Sequence, residues 1–311
     1  MRIVVIMDGP ETVNPETDTS FALMLAAQER GHRVWHCDSS QVELVDRRVC
    51  AWARPAAIHE QSDTPLLLGP TEHLDLTEVD VVLIRTDPPF DPDYRHLTLL
   101  LDYLVDSTLV VNSPRGLRDA NEKLYSYRFA DITPSTIVTS DADRLMAFSR
   151  HHGSAVLKPI EGHGGRGVMV LRPDDHNAAS IIDTLTVRGR TPVIAQQFLE
   201  NVSAGDKRIL LLDGEPLGAI MRVPTEVDFR ANLCVGGRSD AAELDEADRR
   251  IITRIAPSLR ADGLVFVGID VIDGYLTEIN VTSPTGLRQL TALTGTRVDL
   301  DVIRWFENAV S

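Results

Sequence analysis

The chain has 311 residues, 43% hydrophobic and 25% charged, the composition of a soluble globular protein with room for two or three compact units and a sizeable shared core. Its 31 Lys and Arg against 46 Asp and Glu give a formal charge of -15, a net field that excludes nucleic acid and anionic membrane as general partners yet leaves room for a local basic pocket. Cys37, Cys50 and Cys234 are odd in number, far apart and outside any CxxC or Cys/His metal pattern, so free structural thiols in a reducing cytoplasm are expected.

The opening run RIVVIM ends at Asp8-Gly9-Pro10. It is too short for a signal segment or a membrane span and reads as a buried parallel strand. Asp18, Thr19 or Ser20 can cap a helix whose Phe21, Met24, Leu25 and Ala27 share one face, with Gly31 at its end. RVWHCD, DVVLIRT and TLVVNSP follow as strands, the last stopped by a proline. Strands alternating with helices predict an open α/β domain over 1–122.

From Asn121 the pattern changes. NEKLYSYRFAD is helical in pattern, and TPSTIV opens a strand. AVLKPIEGHGGRGVMVL reads as strand, glycine loop, strand, a hairpin and not the strand–loop–helix of a P-loop or dinucleotide site. PVIAQQFL is a strand, RILLLDGEPLGAIMRV a hairpin turning at Asp213-Gly214, and VFVGIDVIDGYLTEINV a hairpin turning near Asp273-Gly274. The second half is therefore expected to be α+β with antiparallel sheets, divided as 123–190 and 191–311.

Two segments carry chemistry. Lys158 stands on the strand before the loop Glu161–Gly167, where Gly164 and Gly165 let backbone N–H groups approach phosphates; the plain alternative is a glycine-rich hairpin tip. In the last hairpin Glu278 and Asn280 share a strand face. A three-residue loop, Asp273-Gly274-Tyr275, would set Asp270 opposite Glu278 and gather three oxygen donors suited to Mg²⁺, whereas a two-residue loop would turn Asp270 to the other face. The alternative is an ordinary polar strand face. Arg208 and Arg222, with Arg230 beyond, read either as carboxylate- and phosphate-holding forks or as solvated strand-end charges. His151-His152 reads as an exposed helix end, and His163 has no partner pattern.

These stretches, together with DTSFALMLAAQERGH, RTDPPFD, VNSPRGLRDANEKL, DKRILLLDGEP and TEINVTSPT, resemble the bacterial glutathione synthetases of the ATP-grasp superfamily over nearly the whole chain. The resemblance implies an N-terminal open-sheet domain followed by ATP-grasp domains. It implies Lys123 and Lys158 on ATP phosphates, Gly164 and Gly165 over the triphosphate, Gln197, Phe198 and Leu199 around adenine, and Asp206 on the nucleotide side. Asp270, Glu278 and Asn280 would hold Mg²⁺ (or Mn²⁺). Arg208, Arg222 and Asn232 would face the acyl phosphate, and Asp18, Ser20, Arg85, Ser283 and Thr285 the dipeptide. The implied reaction joins γ-glutamylcysteine to glycine at the expense of ATP, in a cytoplasmic homotetramer or dimer. The chain departs from the family pattern at Val223–Phe229, at Arg166-Gly167-Val168 and at Cys234-Val235. These departures leave open a related ligase with another acid or amine. A nucleotide-binding module without catalysis is a third reading, disfavoured by the complete lysine and Asp/Glu/Asn set. The expected lid is the loop from Pro224 to Arg238.

Overall fold

The computed structural model describes residues 1–62, 64–104, 106–224 and 238–311. Arg230, Asn232, Cys234 and most of the expected lid therefore lie outside the described residues.

The first sheet is built on four parallel, mostly apolar strands: β1 (Arg2–Ile6) pairs with β2 (Arg33–Cys37) on one side. Between β2 and the next parallel strand the chain makes an antiparallel excursion: β3 (Val42–Val45), β4 (Arg48–Ile58), β5 (Leu66–Leu68) and β6 (Glu72–Asp75), with β3, β5 and β6 all paired to β4. β7 (Val81–Ile84) then pairs with β1, and β8 (Leu109–Val111) with β7, both in parallel. The α/β expectation holds, but the sheet is mixed, with β4 antiparallel to β2.

Asp18 caps helix α1 (Thr19–Glu29) through its side chain, which accepts from the Phe21 N–H. The expected single apolar face is a correction: Thr19 to Ala27 are all buried, because α1 is packed between the sheet and the C-terminal helices, as an all-round apolar helix must be. Helices α2 (Pro92–Leu101) and α3 (Pro114–Asp119) both begin at a proline after a capping Asp91 or Ser113. The NEKLYSYRFAD segment contains a 3-10 turn over Tyr125–Phe129.

The second sheet has the order β11-β10-β12-β9, formed by β9 (Thr136–Thr139), β10 (Ala155–Pro159), β11 (Met169–Leu171) and β12 (Val193–Gln197), all antiparallel. Helices α4 (Ala142–His152) and α5 (Ala178–Leu185) cover it. The third sheet has the order β15-β14-β13-β16-β17, from β13 (Asp206–Leu212), β14 (Glu215–Val223), β15 (Arg238–Ala242), β16 (Phe266–Ile272) and β17 (Tyr275–Asn280). α6 (Glu246–Ala261), with a capping box at Asp245/Asp248, and α7 (Leu287–Thr294) and α8 (Val298–Ala309) complete the chain. Asp213-Gly214 and Asp273-Gly274 are two-residue turns with positive φ at both positions, the type I′ geometry that Asp-Gly favours.

The buried apolar side chains fall into three clusters. Two of them run across the first and third sheets, joining for example Val4, Trp35 and Leu97 to Val267 and Ile279. The third, with Leu145, Leu157 and Val193 among its members, belongs to the second sheet and its helices alone.

Candidate active site

The register of the third sheet assembles a row of charge on one face. On β13, Asp206 and Arg208 are two apart and share a face. Asp206 opposes Arg222 on β14, and Arg208 opposes Asp270 on β16. Asp270 in turn opposes Glu278 on β17, and Asn280 opposes Gly268. Directly opposed residues share a face, so all six polar side chains project the same way.

The hairpin reaches this arrangement by an unexpected route. The turn has two residues, with Ile272 opposite Tyr275 and Val271 opposite Leu276, which corrects the three-residue loop and would alone send Asp270 to the wrong face. A register shift between Asp270 and Val271 inserts Thr277 as an extra residue and restores the Asp270–Glu278 pair. The Thr277 hydroxyl donates to the Asp270 carbonyl at 3.0 Å, which fixes the bulge.

Asp270 is the centre of the row. Arg208 grips it with two bonds, from Nε to Oδ1 and from Nη2 to Oδ2, the second at 3.0 Å. Arg222 Nη2 lies 2.9 Å from Asp270 Oδ2 and also pairs with Asp206, and Asn280 Nδ2 is 3.3 Å from Asp270 Oδ2. Gly268 makes room for this: a Cβ there would come within 3.2 Å of Arg208 Cδ and 3.1 Å of Pro284 Cβ. Burial alone would raise the Asp270 carboxyl, but Arg208 and Arg222 outweigh it and hold the group well below the ordinary range. Asp206, by contrast, is raised, because burial prevails over its one strong partner, Arg222. Arg222 is raised, since Asp206 and Asp270 outweigh its own burial.

The row forms one wall of a cavity of about 420 Å³. The opposite wall comes from the second sheet. Lys158 on β10 is buried enough to lower its ammonium pKa, and its Nζ donates to Gln196 Oε1 at 3.0 Å. Gln196 is anchored in turn by its Nε2, which donates to Thr136 Oγ1 at 3.2 Å. Lys123, 5% exposed, donates to the carbonyls of Gly162 and Ile160 in the glycine loop. The loop is the tip of the β10–β11 hairpin, and Gly164, Gly165 and Gly167 have positive φ.

Fifteen of the expected residues line this cavity: Lys123, Lys158, Gly164, Gly165, Gln197, Phe198, Leu199, Asp206, Arg208, Arg222, Asp270, Glu278, Asn280, Ser283 and Thr285. Asp18, Ser20 and Arg85 do not. Ser20 and Arg85 are buried behind its wall, where Arg85 Nε donates to Ser20 Oγ at 2.9 Å and Nη2 to the Pro284 carbonyl at 3.1 Å, while Asp18 Oδ1 caps α1. Arg85 Nη1 is buried without a partner among the described residues. Asn232 lies outside the described residues. Gln196 and Glu122 line the cavity and were not singled out from the sequence. Gln196 stands next to a singled-out Gln197, but only alternation along β12 distinguishes the two faces.

Two carboxylates and an amide oxygen on one face are hard donors suited to Mg²⁺. Among the described residues no group of three His, Cys, Asp or Glu side chains forms a self-sufficient metal cage. The set is too small to enclose an ion by itself, so an ion held here would also take oxygens from water and a phosphorylated substrate. Glu278 makes no hydrogen bond or ion pair among the described residues, so its oxygens are open to such an ion.

Residues 1–118 match the family model "Prokaryotic glutathione synthetase, N-terminal domain", and residues 122–295 match "Prokaryotic glutathione synthetase, ATP-grasp domain". A glutathione synthetase of Thermosynechococcus vestitus is 46% identical over 316 residues, covering 98% of this chain and 99% of its own. One from Brucella melitensis is 44% identical over 298 residues, covering 96% of each chain. Among solved structures, the D-cycloserine synthetase DcsG superposes with a TM-score of 0.67 at 17% identity over 100% of both chains. The ATP-grasp ligase PsnB with its minimal precursor, Mg and ADP superposes at 0.62 and 15% identity, over 99% of this chain and 98% of that one. At such identities these two likenesses speak for the fold.

Proposed function

The chain belongs to the prokaryotic glutathione synthetase family, and from that premise we propose how its cavity carries out the reaction. The protein is an ATP-dependent carboxylate–amine ligase of the glutathione synthase type. It converts ATP, γ-glutamylcysteine and glycine to ADP, phosphate and glutathione. A carboxylate is a poor acyl donor, so its oxygen first attacks the γ-phosphate to give an acyl phosphate. The glycine amine then attacks the acyl carbon and phosphate leaves.

In this reading Lys123 and Lys158 neutralise the phosphates from the second-sheet side, with Gly164 and Gly165 folding over them and Gln197, Phe198 and Leu199 bordering the base. Asp270, Glu278 and Asn280 would hold Mg²⁺ or Mn²⁺, which when bound neutralises phosphate charge and favours in-line transfer. Arg208 and Arg222, held by Asp270 and Asp206, present fixed donors for the tetrahedral oxyanion without reorganising. Ser283, Thr285, Ser20, Asp18 and Arg85 are assigned to the dipeptide side, and Asn232 to the reacting centre. A cytoplasmic homo-oligomer, tetrameric or dimeric, divided as 1–122, 123–190 and 191–311, completes the proposal; the buried free thiols Cys37 and Cys50 support a reducing compartment.

The observation that carries this reading is the single cavity in which two lysines and a glycine loop meet a row of oxygen donors backed by arginines. Its test is phosphate release from ATP with γ-glutamylcysteine and a panel of amines. Glycine is expected to stimulate release far above the other amines; equal stimulation by all of them would end the assignment.

A further inference from the structure

Glu122 is absent from every role described so far, yet it sits where the two sides of the cavity join. Its neighbour Lys123 belongs to the nucleotide side. Its own carboxylate reaches across to the segment after β17. Glu122 Oε1 accepts three bonds: from Val281 N at 2.9 Å, Thr282 N at 3.1 Å and Thr282 Oγ1 at 2.8 Å. Its backbone carbonyl accepts from Ile279 N at 2.9 Å.

The segment it holds has no regular structure over 281–286, yet Val281 is 0% and Thr282 5% exposed. Buried backbone N–H groups need partners, and here no strand supplies them. Three donors converging on one oxygen call for the charge of a carboxylate. The segment also fixes the arginines. Pro284 O accepts from Arg85, and Thr285 O accepts from Arg208 Nη1 at 3.1 Å. Ser283 Oγ donates to Arg85 O at 3.4 Å.

The geometry points to Glu122 as a positioning residue for the ligation: its carboxylate sets the 281–285 segment, and through it Arg208 and Ser283, on the acyl-substrate side of the cavity. This rests on the proposed assignment of Ser283 and Thr285 to the acyl substrate. Glu122 touches none of the reacting groups in this role.

The test compares Glu122→Ala, Glu122→Gln, Thr282→Val and Ser283→Ala in the full-length protein. Steady-state kinetics measure KM for γ-glutamylcysteine and kcat, and calorimetry measures Kd for ADP alone. Misplacement of a reacting group by about 1 Å costs on the order of a hundredfold, so Glu122→Ala is expected to lower kcat/KM for the acyl substrate by about that factor. Its Kd for ADP should stay within about twofold, and Glu122→Gln, which keeps an oxygen acceptor but not the charge, should recover only part of the loss. Thr282→Val removes one of the three donors and should show the same split at smaller amplitude, including if Glu122→Ala fails to fold.

Wild-type acyl kinetics in the Glu122 variants, or an equal loss of ADP affinity, overturns the inference. If Ser283→Ala impairs use of γ-glutamylcysteine while Glu122→Ala and Thr282→Val do not, the positioning role alone is wrong. If all of them are silent, the acyl assignment of the segment falls as well.

Discussion

Asp270 and Glu278 face each other across β16 and β17, and their removal should have unequal consequences for stability. Asp270 is 3% exposed and compensates two buried guanidinium groups. In Asp270→Ala, Arg222 keeps Asp206, but Arg208 is left without a carboxylate. Removing one partner of a buried pair costs about 3–5 kcal/mol, and the surviving Asp206 contact places the expected loss near about 3 kcal/mol. Glu278 has no ion pair or hydrogen bond among the described residues and acts on the buried Lys158 ammonium only at longer range, so Glu278→Ala should destabilise by no more than about 1 kcal/mol. Urea titrations of the two variants read the difference, and the ligase assay runs beside them. Both variants should lose ligation, Glu278→Ala with its fold intact. The pH dependence follows from the sign of the Asp270 shift. A carboxyl whose folded pKa is lowered stabilises above its unfolded value, about 3.9, and that contribution is lost as pH falls through the folded value. The gap between wild type and Asp270→Ala should therefore be full at neutral pH and narrow below about pH 4. Equal destabilisation in the two variants, or near-normal ligation by Glu278→Ala, would refute the reasoning.

Lys158→Ala should raise KM for ATP by about tenfold or more while leaving KM for γ-glutamylcysteine nearly unchanged, since a charge-assisted bond is worth about 1.5–3 kcal/mol; parallel rises in both constants would remove Lys158 from the nucleotide. Burial pushes the Cys37 thiol up to about 12 and raises Cys50 as well. Iodoacetamide at pH 8 should leave both unmodified in the folded protein and label them after denaturation, as read by peptide mass spectrometry; native labelling of Cys37 would contradict its placement.

Much of this was legible because the decisive signals are local. Apolar runs such as RIVVIM and VVLI mark strands buried on both faces, and Asp-Gly pairs mark the hairpins. The excursion from Val42 to Asp75 was not legible. Its strands are partly exposed, and β4 carries Pro55 mid-strand, which argues against a strand by local preference. The bulge at Thr277 was hidden for a related reason. Alternation assumes a period of two, and one inserted residue reverses every face beyond it. The pairing of Asp206 with Arg222 and of Asp270 with Arg208 and Arg222 depends on the neighbours of β13, β14 and β16, which local spacing cannot supply. Glu122 was passed over beside Lys123 because its partners lie about 160 positions downstream.

The partition of apolar side chains makes the cleft unequal in stiffness. Sliding the first sheet against the third would bring the leucines and isoleucines they share into water, at about 25 cal/mol for each Å² uncovered. Tilting the second sheet breaks no such cluster, because its buried side chains pack among themselves. Among the polar contacts such a tilt would disturb are the bonds from Lys123 to Ile160 and Gly162. Any widening of the cleft is therefore cheapest on one side: the glycine-loop jaw can tilt at little apolar cost, while the oxygen-bearing wall is held to the first sheet by shared burial.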